Sequence, residues 1–65
     1  MIKNDEQLKS TQDRIAWLQQ QVAHLRKTEK KPANYYASVS GFLAEIDRMQ
    51  LETREYFSLH PTEAA

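Results

Sequence analysis

The chain has no cysteine, so no disulfide staples it and no thiolate is available as a metal ligand or nucleophile. Its one glycine, Gly41, excludes a glycine-rich phosphate loop. Of its two prolines, Pro61 falls near the end and Pro32 is the only one before it, which allows one main break in a regular backbone. No run of 18 apolar residues occurs and the first residues carry no apolar signal core, so a soluble cytoplasmic protein without a membrane partner is expected. Nine basic and nine acidic residues cancel, which removes any global attraction to nucleic acid or to an anionic surface. No nucleophile stands beside a base, and catalysis is not expected. The two histidines, His24 and His60, belong to opposite ends of the chain's expected shape, so neither a metal nor a cofactor is expected.

What the chain does have is helical periodicity. Positions 35, 39, 42, 46, 49, 53 and 56 read Tyr, Val, Phe, Ile, Met, Thr and Tyr in alternating steps of four and three, a coiled-coil seam. A second column one residue further round, Tyr36, Leu43, Gln50 and Phe57, makes the apolar face wider than a two-helix seam needs. The positions 8, 11, 15, 18, 22 and 25 read Leu, Thr, Ile, Leu, Val and Leu with the same spacing. Asn4 is a good N-cap for this first stretch, Gln7 completes a capping-box pattern, and Asp5 and Glu6 suit the positive end of the helix dipole. Ile2 and Leu8 sit one residue off the usual hydrophobic staple.

Between the two stretches, Pro32 disfavours helical geometry at Lys31 and suits the first position of a new helix. The expected fold is therefore all-α, an antiparallel two-helix hairpin spanning about 5–28 and about 33–58 with a turn at about 29–32. His60 and Pro61 should end the second helix, leaving a frayed tail over 60–65. Folding back pairs Leu25 and Val22 with Tyr35 and Val39, Leu18 and Ile15 with Phe42 and Ile46, and Thr11 and Leu8 with Met49, Thr53 and Tyr56. Gly41 lies inside the second helix, either as a neutral surface position or as a point of close backbone approach. Glu45, Asp47, Glu52 and Glu55 read as a solvated helix face, with Glu45 and Arg48 spaced for an ion pair.

The single domain is small, and burial of a further surface is the usual remedy for a hairpin of this size. The residues left to supply it are Tyr36, Leu43, Phe57 and Trp17, and the expectation is a homodimer forming a four-helix bundle. The alternative covering for Trp17 is the stems of Asp13, Gln20 and Gln21. Arg26, Lys27, Lys30 and Lys31 gather four positive charges at the expected hairpin tip, read first as a soluble turn that complements the helix dipole. Phosphate contact by these four residues is the alternative, but no aromatic is interleaved among them in sequence, so nucleic acid is not the expected partner. Residues 1 to 31 carry +3 (seven basic, four acidic) and residues 32 to 65 carry −3 (two basic, five acidic), two halves suited to pair.

The opening Met1-Ile2-Lys3-Asn4-Asp5-Glu6-Gln7 with Thr11, and the later Ile46, Met49, Gln50, Leu51, Glu52, Arg54, Glu55, Tyr56 and Leu59, resemble the two ends of the N-terminal helical hairpin of bacterial antitoxin-type helix-turn-helix regulators. The resemblance implies an association module. The DNA-binding helix-turn-helix that follows this hairpin in those regulators has no counterpart in these 65 residues, so no DNA-contacting residue carries over. The expected function is a small, non-enzymatic protein-interaction or assembly module that works by self-association and an apolar partner-binding face; a nucleic-acid-associated accessory role for the basic tip is the second reading.

Overall fold

The computed structural model describes residues 1–60, which fold into two antiparallel helices, α1 (Asp5–Thr28) and α2 (Pro32–Phe57). α1 starts where its cap chemistry places it. Asn4 is extended, and its Oδ1 accepts the backbone N–H of Gln7 at 2.8 Å. Gln7 reaches back in turn, but one residue further than a standard capping box, accepting from the Lys3 N–H at 2.8 Å. The helix ends with the Glu29 N–H bonded to the Leu25 carbonyl at 2.9 Å and with Glu29 itself extended. In the turn, the Glu29 carboxylate accepts the Lys31 N–H at 3.1 Å.

Lys31 takes extended geometry ahead of Pro32, as the proline ring requires, and Pro32 occupies the first helical turn. α2 thus begins one residue earlier than the spacing predicts, because a proline at that position forfeits only an N–H that had no helical partner. It also ends one residue earlier, at Phe57: Ser58 serves as the cap, its hydroxyl donating to the Glu55 carbonyl at 2.6 Å. Of the tail expected over 60–65, residues 61–65 lie outside the described residues; His60 is exposed and non-helical.

Both seams face inward. Ile15, Leu18, Ile46 and Met49 form the buried cluster, Val22 and Phe42 pack against it, and Val39 is buried nearer the turn. Met49, placed by its spacing towards the open end, joins the buried middle of the core. Leu18 is the most enclosed large side chain, at 1% exposure. Ile2, ahead of α1, is buried as well; it shares a cleft with Glu52, Glu55, Tyr56 and Leu59, folding the N-terminal residues over the end of α2. A Cβ on Gly41 would meet nothing within 4 Å, so within this hairpin the glycine is a surface position and marks no close approach. None of the described helices is long and apolar enough to cross a membrane.

The outline is a rod, 49 × 15 × 12 Å between Cα extremes. Its accessible surface of 5298 Å² exceeds the ~4,300 Å² that size scaling assigns to a compact monomer of this mass. With so few buried side chains, each one matters. Leu18→Ala should lower the free energy of unfolding by about 2–5 kcal/mol, read by urea denaturation followed by circular dichroism. A loss below ~1 kcal/mol would show that Leu18 is not at the centre of the core.

Candidate interaction surface

Counting round α2 from its seam, Tyr36, Leu43, Gln50 and Phe57 form one flank. Tyr36, Leu43 and Phe57 are 68%, 46% and 62% exposed, so α1 covers none of this column fully. On α1 the matching flank is Asp5, Gln12, Gln19 and Arg26, again spaced by seven. The two flanks meet at both ends of the rod. Arg26 lines a cleft with Glu29, Lys30, Pro32, Tyr35 and Tyr36 at the turn, and Asp5 lines one with Tyr56, Phe57, Leu59 and His60 at the open end.

Each end of the column carries an aromatic pair whose inner ring belongs to the seam and whose outer ring is exposed. Tyr35 and Tyr36 meet edge to face at 5.7 Å, and Tyr56 and Phe57 do the same at 6.1 Å. At the open end the Tyr56 hydroxyl donates to Asp5 Oδ1 at 2.7 Å, tying the last turns of α2 to the first turn of α1. Sequence periodicity places Tyr56 on the seam but gives no sign of this bond, which depends on the register between helices.

Trp17 belongs to the opposite flank. It is 49% exposed, and the Arg14 guanidinium lies 5.7 Å from its ring centroid. Arg14 also pairs across the helices with Glu45 at 3.6 Å, and Glu45 takes Arg48 at 3.8 Å, the pair its spacing predicts. Arg14 thus lies over the half-exposed indole, an exposed cation–π contact of about 0.5–1 kcal/mol. The four apolar residues named from the sequence do not make one patch: Tyr36, Leu43 and Phe57 share a face, and Trp17 sits across the rod. Nor are the carboxylates a uniformly solvated row, since Glu45 is half-buried between its two arginines.

Arg26, Lys27, Lys30 and Lys31 stand together at the turn, all exposed. The chain order separates them from aromatics, yet folding brings Tyr35 and Tyr36 into the same cleft as Arg26 and Lys30. His24 and His60 are exposed near opposite ends, and among the described residues no three His, Cys, Asp or Glu side chains converge as a metal site would require. Comparison with protein-family models, curated proteins and solved structures finds no match to the chain.

By accepting a hydrogen bond from the phenol, the Asp5 carboxylate raises Tyr56 above its ordinary value near 10, with partial burial and then the Asp5 charge acting in the same direction. A phenol raised on folding stabilises the fold fully below its unfolded value, and the contribution is lost as pH climbs through the folded value. Tyr56→Phe should therefore lower the thermal midpoint at pH 8 and shrink the gap to wild type above pH 10. A gap that stays constant across that range would dissociate the hydrogen bond from stability.

Proposed function

We propose that this hairpin is a small, non-enzymatic protein-interaction module, antitoxin-like in manner, whose first partner is a second copy of itself in a four-helix bundle. The observation that carries this reading is the exposed column Tyr36, Leu43 and Phe57, which runs along one side of a hairpin with a narrow core. Scattered apolar residues on a surface need no explanation, and Leu51, alone on the outer side of α2, is one. Three large side chains at heptad spacing on one flank are different, because an added helix covers them all at once. The resemblance of the chain's two ends to the hairpin of antitoxin-type regulators supports the same class of role.

Leu43→Glu places a charge in the middle of the column without touching the buried cluster. Sedimentation velocity should show the wild-type mass halved in this variant, with helicity lowered. Leu51→Glu, equally polar but on the outer side, should leave the mass unchanged. A Leu43→Glu chain that keeps the wild-type mass, or an equal loss in both variants, would remove the column from the interface.

A further inference from the structure

Resting on that reading, we propose that the copy occupying the column lies antiparallel to the first, so that the basic turn cleft of each hairpin covers the acidic open end of the other. α2 is about 39 Å long at 1.5 Å per residue, and a flank about 15 Å wide between Cα extremes gives roughly 600 Å² before side chains widen it. A standard stable interface buries ~800 Å² per partner, so the two rods must overlap along their whole length. Only two full-length arrangements of a two-fold dimer exist, turn beside turn or turn beside open end.

Charge decides between them. At the turn, Arg26, Lys27, Lys30 and Lys31 against Glu29 leave +3, and no ion pair is formed by these cations among the described residues. At the open end, over residues 1–10 and 50–60, Lys3, Lys9 and Arg54 against Asp5, Glu6, Glu52 and Glu55 leave −1. Turn beside turn sets +3 on +3. Turn beside open end sets +3 on −1, twice by symmetry.

The side chains of the column suit the same arrangement. Tyr36 and Phe57 are three heptads apart, each the outer ring of an edge-to-face pair, so a two-fold axis midway along α2 brings Tyr36 of each copy to the partner's Phe57. Leu43 then meets the partner's Gln50. On α1, Arg26 is carried towards the partner's Asp5, the two residues that line the turn and open-end clefts on this face. The cations at the turn gain an acidic, aromatic surface to rest on.

Because the chain has no cysteine, one introduced thiol carries one spin label. Ala33 is exposed in the first turn of α2, close to the turn cleft and outside the column. In the full chain with Ala33→Cys, pulsed electron resonance should give a label separation of about 40 Å, from the rise of 1.5 Å per residue on each side of the axis. A separation near ~20 Å in a dimer would overturn the antiparallel order while leaving self-association standing. A monomer by sedimentation with no dipolar signal would overturn self-association itself, whether the column is empty or covered by a different protein. Salt gives a second reading: opposite charges are screened apart, so the dimer should dissociate about two- to tenfold more readily between low and high salt. A dimer that tightens with salt would mean like ends meet.

Discussion

Everything in this molecule depends on the contact between two apolar stripes that are each only two positions per heptad wide. Ile15 and Leu18 on α1 meet Ile46 and Met49 on α2, with Val22 and Phe42 beside them, and no third element backs either helix among the described residues. Burial is the main favourable term available to a chain without a disulfide, and a seam this narrow provides little of it. The flanks must therefore either be polar enough to face water or be covered by something else. One flank takes the first course: Arg14 spans Trp17 and Glu45, and Arg48 shares the same carboxylate. The other leaves Tyr36, Leu43 and Phe57 only partly covered.

The polar contacts that close the rod are local and few. Asn4 and Gln7 satisfy the start of α1, Glu29 braces the turn, and the Tyr56–Asp5 hydrogen bond holds the open end. Exposed ion pairs and hydrogen bonds of this kind contribute little individually, so they set register more than they set stability. Register matters here because a shift of α1 against α2 would separate Asp5 from Tyr56 and Arg14 from Glu45 together. It would also break the match between flanks that puts Arg26 beside Tyr36 and Asp5 beside Phe57.

Features decided within a few residues were legible beforehand. The cap at Asn4, the break at Pro32 and the inward faces of both helices follow from side-chain chemistry and the 3.6-residue period, and the structure reproduces them within a residue. The apolar contacts of the middle, Ile15 and Leu18 with Phe42 and Ile46, follow from the two seams as well, but the polar contacts between helices do not. Arg14–Glu45 and Tyr56–Asp5 need the relative height of the two helices, which no single stretch encodes. Ile2 stands out beforehand only beside Leu8; its burial against the end of α2 has no period to announce it, because it precedes the helix. The separation of Trp17 from the column was within reach: it stands one residue before a seam position, Leu18, where the column residues stand one after theirs, and that offset puts it on the other flank. The grouping of Tyr35 and Tyr36 with Arg26 and Lys30 is the reverse case, residues separated along the chain by the turn and joined across it.

The central claim is that one flank of the hairpin is built to be covered by a second copy and that the fold leans on this covering. Sedimentation equilibrium and circular dichroism on the same dilution series test it most directly. Mass and helicity should fall together as the chain is diluted, since a fold that depends on association is lost with it. A monomer that keeps its full helicity at the lowest concentration would contradict the account, because the narrow seam would then be sufficient by itself.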